Sequence, residues 1–187
     1  MKNVAVLIAF VSLPFCGWAQ SNESNPWLEQ GQFQIGLGVG AGVAQSGWTK
    51  AYIRAFPYAQ YFLKDGLALR LEGRYNYNGS GGDHYAGVGL LAQYHLIRTN
   101  RFSTYLQAGY FYGRANYSAY RVDDPYSLFR SRQQYNYGML NVGLGAQYRV
   151  SPRWSINALA EKNLGQRIGD YGTDKANLTL GVNFRLK

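Results

Sequence analysis

Apolar and polar residues alternate along most of this chain with a period of two. Between residues 67 and 78, the sequence LALRLEGRYNYN places leucine, glycine and tyrosine at odd positions and alanine, arginine, glutamate and asparagine at even positions. This period is that of an extended strand, because successive side chains of a strand point to opposite faces. Eight strands are predicted in this way, near 32–44, 51–63, 67–78, 85–96, 102–113, 140–150, 153–163 and 177–186.

The connections between the predicted strands alternate between short and long. Tight turns are predicted at 63–66, 98–100 and 151–153, and longer polar links at 44–50, 77–84, 114–134 and 164–175. An even number of strands with long loops at one end is the layout of an outer-membrane barrel. The predicted fold class is therefore all-β, an eight-stranded antiparallel up-and-down transmembrane β-barrel. A soluble periplasmic ligand-binding barrel is the alternative, and it would turn the leucines inward.

The transmembrane interpretation assigns a role to each face of the strands. Leu67, Leu69 and Leu71 are predicted to face lipid, whereas the charged residues between them face the lumen. A barrel of eight strands has an interior only wide enough for side chains, so inward charges need partners there. We expect a polar lumen network of two glutamates and five arginines: Arg54, Arg70, Glu72, Arg74, Arg149, Glu161 and Arg185. The alternative is a gated path for small ions, in which these pairs rearrange. Aromatic residues near the strand ends are predicted to form two interfacial girdles: Trp48, Tyr61, Tyr75, Tyr94, Tyr112, Tyr148 and Trp154.

The first 19 residues have the features of a secretory signal peptide. Lys2 is followed by an apolar stretch from Val4 to Phe15 and by small residues around Ala19, after which we expect cleavage. The barrel domain then comprises residues 20–187. Cys16, the only cysteine, lies within the signal and follows LPF rather than small residues, which disfavours a lipoprotein. A mature chain without cysteine has neither a disulfide framework nor a thiolate metal site.

The formal net charge is +9, from 19 Lys and Arg residues against 10 Asp and Glu residues. For an exported chain, such a charge favours anionic lipid or polysaccharide over nucleic acid as a partner. The predicted loop 114–134 concentrates this charge among aromatic residues, with arginines at Arg114, Arg121, Arg130 and Arg132. It is interpreted either as a surface that binds an extracellular anionic ligand or as a solvated loop suited to lipopolysaccharide.

Two motifs that could carry chemistry have simpler explanations. The run GLGVGA formally matches a dinucleotide-binding fingerprint, but the strand alternation continues through it where a helix should begin, so no cofactor is expected. His84, Asp83 and Ser80 could form the rim site of a lipid A-modifying enzyme, yet they lie in the glycine-rich segment NGSGGDHY. Ordinary loop residues are the favoured interpretation. His95 is predicted to be a lumen residue rather than a metal ligand.

The segment FPYAQYFLKDGLALRLEGRYNY, the signal ending AQ and the final strand NLTLGVNFRLK resemble small outer-membrane β-barrel domains common in Bacteroidota, with the architecture of OmpA and OmpX. The resemblance implies a location in the cell outer membrane and insertion by the barrel-assembly machinery. It also implies contact with outer-membrane lipid and lipopolysaccharide. It is specific for fold and location but not for activity, and the expected function is non-enzymatic, structural or in surface interaction through the longer loops.

Overall fold

The computed structural model describes residues 27–44, 50–78, 83–120, 130–165 and 174–186. The predicted signal segment 1–19 and its cleavage site lie outside these ranges. The described residues form eight strands: β1 Phe33–Ala44, β2 Lys50–Lys64, β3 Leu67–Asn78, β4 Asp83–Arg98, β5 Phe102–Tyr120, β6 Arg130–Arg149, β7 Trp154–Gly165 and β8 Asp174–Arg185. Within these ranges, no helix is long and apolar enough to cross a membrane.

Each strand pairs antiparallel with its neighbours in sequence, and β1 pairs with β8, which closes the sheet into a barrel. Closure gives every strand a neighbour on both sides and leaves no sheet edge within the wall. The predicted fold class is confirmed.

The barrel is apolar outside and polar inside. On β3, Leu71 is 58% exposed and Leu69 39%, whereas Arg70 and Glu72 are each 1% exposed. Burying charge while exposing leucine is stable only when the outer face meets lipid instead of water. The soluble ligand-binding barrel, which requires the opposite orientation, is therefore wrong, and the structure is that of a transmembrane barrel.

Aromatic side chains are exposed on the outer face near both ends of the barrel. At the end with short turns these include Tyr61, Tyr94, Tyr148 and Trp154, and at the other end Tyr75, Tyr77, Tyr110 and Tyr112. Trp48, predicted to join them, lies outside the described residues. Two such rings mark the levels at which a bilayer would give way to water.

The turn between β2 and β3 depends on a glycine. Gly66 has a φ of 76°, a left-handed conformation that other residues rarely adopt, and its amide donates to Leu28 O at 2.9 Å. The same glycine accepts at its carbonyl oxygen from the His95 amide. Gly66 thus ties the segment that precedes β1 to the short-turn end of the barrel.

That preceding segment, residues 27–32, closes the short-turn end, which the sequence did not predict. Trp27 and Leu28 are almost fully buried and form an apolar cluster with Phe62 and Ala68. Trp27 Nε1 donates to Thr99 O in the β4–β5 turn at 2.9 Å. The segment therefore acts as an apolar plug under the lumen, held by turns on different hairpins.

The hairpin of β5 and β6 is longer than predicted. Most of the region 114–134, expected to be a loop, belongs to strands that pair from Phe102↔Tyr148 to Tyr120↔Arg130. In the described residues, pairing with the neighbours β4 and β7 ends at Asn116 and Met139. Beyond these positions the hairpin stands as a two-stranded ribbon, which we call the outer ribbon (residues 117–120 and 130–138). The region was predicted to be a loop because it is polar. A ribbon outside the bilayer needs no apolar face, so its strands can be polar on both sides.

Candidate functional site

A buried ion network occupies the middle of the lumen. Glu161 on β7 pairs with Arg54 on β2 and, at 2.7 Å, with Arg74 Nη2 on β3. Glu72 lies between two arginines, with Arg74 Nε at 2.5 Å and Arg70 Nη2 at 2.7 Å. All five side chains are at most 2% exposed. The network thus links β2 and β3 to β7 across the barrel.

Aromatic faces supplement the two carboxylates. Three buried arginines against two buried glutamates leave one positive charge in excess (3 − 2 = 1) within this network. The Arg70 guanidinium carbon lies 3.4 Å from the centre of the Tyr58 ring, and that of Arg74 lies 3.6 Å from the centre of the Phe111 ring. Such cation–π contacts are strongest where water is excluded, so they offset part of the cost of the excess charge.

A chain of hydrogen bonds between side-chain amides extends the network to β4 and β5. Gln93 Nε2 donates to Gln107 Oε1 at 2.8 Å, and Gln107 Nε2 donates to Asn141 Oδ1 at 2.9 Å. Asn141 Nδ2 in turn donates to Glu161 Oε2 at 3.0 Å. The sequence interpretation missed these residues, although each occupies an inward position of its strand, which is the signal that could have identified them.

Apolar clusters lie on both sides of the polar network. Toward the long-loop end, the lumen is filled by Tyr85, Leu91, Phe111, Ala115 and Met139. Toward the short-turn end, it meets the plug, whose Trp27 and Leu28 cluster with Phe62 and Ala68 of the wall. The charges are therefore enclosed in a region of low dielectric, where an ion pair is strong and an unpaired charge is costly.

Two arginines predicted for the lumen network lie elsewhere. Arg149 pairs in register with Ser155, which is six residues from Glu161 along β7, or about 20 Å of strand. Arg149 and Arg185 are both half-buried at the short-turn end, where they line a shallow pocket with Trp27. The separation is too great for these side chains to reach the two glutamates, so the predicted network contains five of its seven members.

Two of the four arginines predicted for surface binding, Arg130 and Arg132, lie on the outer ribbon. The Arg114 side chain is exposed at the base of the ribbon, and its Nε donates to Asn136 Oδ1 at 3.2 Å. Arg130 and Arg132 occupy ribbon positions opposite Tyr120 and Ser118. Arg121 lies outside the described residues. The predicted loop thus contributes three of its four arginines to paired strands.

The histidines do not assemble a recognisable site among the described residues. His84 Nε2 lies 2.7 Å from Asn116 Nδ2, while Ser80 and the side chain of Asp83 lie outside the described part. His95 is buried inside the lumen, with Nδ1 2.6 Å from Ser103 Oγ.

In the described ranges, no three His, Cys, Asp or Glu residues come close enough to hold a metal ion. The run GLGVGA lies within strand β1.

No protein-family model matches the sequence, and no curated protein matches it. Solved structures do share its fold. The N-terminal β-barrel domain of Pseudomonas aeruginosa OprF has a TM-score of 0.62 at 20% identity, covering 84% of this chain and 98% of that domain. Neisserial surface protein A has a TM-score of 0.66 at 18% identity, covering 81% and 96%.

A third similar structure is Ail, the attachment invasion locus protein of Yersinia pestis, with a TM-score of 0.59 at 16% identity, covering 84% of this chain and 99% of that chain. Ail has also been solved in complex with the heparin analogue sucrose octasulfate. At these identities the likeness extends to the fold alone. The chain has the fold of small eight-stranded outer-membrane β-barrels.

Proposed function

We propose that this protein is a non-enzymatic barrel of the cell outer membrane that binds anionic ligands at the cell surface through its outer ribbon. The observation that carries the proposal is the length of the β5–β6 hairpin. These strands have 19 and 20 residues, whereas about 9–11 residues suffice to cross a bilayer. The excess length projects the ribbon beyond the membrane.

The composition of the outer ribbon indicates the class of ligand. Arginine and tyrosine are enriched in recognition surfaces, and arginine pairs with sulfate, phosphate or carboxylate through two parallel hydrogen bonds. Arg130 and Arg132 lie on the ribbon, and Arg114 is exposed at its base. The complex of Ail with a sulfated saccharide analogue, on the same fold, supports a polyanionic saccharide as the ligand. Lipopolysaccharide and free polyanions share this chemistry.

The filled lumen supports a scaffold role instead of a channel. Its centre is crossed by ion pairs and amide hydrogen bonds from opposite walls, and apolar clusters lie on either side. The non-enzymatic assignment is supported by the sequence around His84, because the glycine-rich segment NGSGGDHY is poorly suited to hold Ser80, Asp83 and His84 in a fixed catalytic geometry. Export through a cleaved signal peptide and insertion by the barrel-assembly machinery complete the proposal.

Location is tested by fractionation and gel migration. We expect the protein in the outer-membrane fraction, and we expect an unboiled sample to migrate differently from a boiled one, because a closed barrel resists detergent. Recovery of the protein from the soluble periplasmic fraction would contradict the proposal.

Ligand binding is tested by removing charge from the ribbon and its base. We expect Arg114→Ser, Arg130→Ser and Arg132→Ser together to weaken binding to immobilised heparin by roughly tenfold, most clearly at low salt where exposed charges are least screened. The matched control is Lys64→Ser, Arg98→Ser and Arg101→Ser, which removes the same charge from the opposite end. Equal losses in the two variants, measured on protein displayed in the outer membrane of intact cells, would show that the ribbon is not the binding surface.

A further inference from the structure

Three arginines surround a shallow pocket at the short-turn end of the barrel, opposite the outer ribbon. Arg149 ends β6, Arg153 lies in the turn that follows, and Arg185 ends β8. The backbone holds them together, since the Arg185 amide donates to Arg153 O at 2.8 Å. The Arg149 guanidinium also lies over the Trp27 ring of the plug, 5.9 Å from its centre. The cluster therefore sits on strands and a plug that are themselves fixed.

The hydroxyl groups of the pocket are arranged as donors. Ser155 Oγ accepts from Gln147 Nε2 at 2.7 Å and from Asn183 Nδ2 at 3.2 Å, which leaves its proton to donate. Ser151 Oγ accepts from the Trp154 amide at 3.2 Å and likewise keeps a proton to donate. The described residues that line the pocket include no Asp or Glu. A lining of guanidinium groups and hydroxyl donors suits an anion.

The surrounding surface favours negative charge as well. In the described residues, the short-turn end carries six cationic residues against two acidic ones, a balance of +4 (6 − 2 = 4). The cations are Lys64, Arg98, Arg101, Arg149, Arg153 and Arg185, and the acids are Glu29 and Asp65. Such a field raises the local concentration of anions and steers them toward the mouth of the barrel.

The position of Trp154 identifies the source of the anion. Trp154 is 50% exposed on the outer face, packs against the Phe184 ring at 4.8 Å between centres, and also lines the pocket. The pocket therefore extends from the mouth of the lumen to the aromatic girdle, the level at which headgroup phosphates lie in a bilayer. We propose that Arg149, Arg153 and Arg185 bind the phosphate of an anionic phospholipid from the periplasmic leaflet.

The lipid site is independent of the outer ribbon, because the two lie at opposite ends of the barrel. Arginine is suited to it, since a planar guanidinium offers a phosphate two parallel hydrogen bonds. Basic pockets at membrane surfaces recognise phospholipid headgroups by the same chemistry. A bound headgroup at this level would fix the depth and tilt of the barrel in the leaflet on the plug side.

The test counts lipids retained by the purified full-length protein. Native mass spectrometry from a zwitterionic detergent is performed with phosphatidylglycerol, with phosphatidylcholine of the same chains, and with inorganic phosphate. We expect the parent to retain phosphatidylglycerol in preference to the other two. Arg149→Gln with Arg153→Gln should weaken phosphatidylglycerol retention by roughly tenfold or more. Lys64→Gln with Arg101→Gln removes the same charge from the same end outside the pocket and should retain the lipid.

Several results would overturn the lipid site. Equal losses in the two double variants would show that diffuse charge, not the pocket, holds the lipid. Equal retention of phosphatidylcholine would remove the requirement for an anion, and binding of inorganic phosphate without phosphatidylglycerol would assign the pocket to a dissolved anion. If the first double variant does not fold, as judged by its unboiled gel migration, Arg153→Gln alone is compared with Arg101→Gln, since both side chains are exposed.

Discussion

Replacing Glu161 with glutamine is expected to destabilise the barrel by about 3 kcal/mol, because breaking a buried ion pair leaves its partner charge uncompensated. Glu161 pairs with two arginines, Arg54 and Arg74, and accepts from Asn141 Nδ2. Glutamine has nearly the same shape as glutamate, so the change removes charge without creating a cavity. The measurement is the free energy of unfolding in urea, followed by tryptophan fluorescence in phosphatidylcholine vesicles.

Asp65→Asn is the matched control for Glu161→Gln. It makes the same carboxylate-to-amide change at an exposed turn residue, whose Oδ1 accepts from the Gln30 amide at 2.8 Å. We expect it to cost less than about 1 kcal/mol, as exposed charges contribute little. A double variant, Glu161→Gln with Arg74→Met, should recover part of the loss by removing one uncompensated charge. Similar unfolding free energies for Glu161→Gln and Asp65→Asn would show that the network does not stabilise the barrel.

The second large loss of stability is expected for Gly109→Ala, a substitution at a glycine that faces the lumen. A Cβ at Gly109 would overlap with backbone atoms of the neighbouring strand, Leu90 O and the Leu91 Cα. Backbone within a closed barrel cannot move aside without disturbing the ladder, and overpacking of this kind costs about 1–3 kcal/mol. We expect Gly109→Ala to lie at the upper end of that range in the same urea measurement.

Gly73→Ala serves as the control for Gly109→Ala, since it adds the same methyl group to the outer face. The nearest atom to a Cβ there is Pro57 Cγ at 3.5 Å, an ordinary contact. Because glycine weakens a strand, this change should be neutral or slightly stabilising. An equal loss of stability in both variants would mean that glycine acts through chain flexibility and not through lumen space.

The sequence alone determined the wall of the barrel. Alternation at residues 67–78 separates Leu69 and Leu71 from Arg70 and Glu72, and the structure places these two sets on opposite faces. This was predictable because the period of a strand is a local property that each segment shows by itself. The number of strands and their order followed from the same pattern together with the short turns.

The alternation of apolar and polar residues predicted strands less well where lipid no longer requires an apolar face. Residues 114–120 and 130–134 were predicted as loop, yet they form strand within the β5–β6 hairpin. Conversely, Trp27 and Leu28 precede the first strand and show no alternation, although they form the plug. The plug depends on contacts between segments that are far apart in the chain, whereas the longer hairpin depends on pairing between two strands that are neighbours in sequence.

Tertiary structure decided which lumen residues meet. Arg54 and Glu161 are 107 residues apart in sequence, and Arg74 and Glu161 are 87 apart. The alternation of side chains along each strand predicted that Arg149 and Glu161 would both face the interior. They lie at different heights along the barrel, however. Only the register of neighbouring strands separates the central network from the arginines at the mouth. Each strand alone determines whether a side chain faces inward or outward. Strand register and barrel closure determine the height of an inward side chain and its partner across the lumen, because they fix where that side chain lies along the barrel axis.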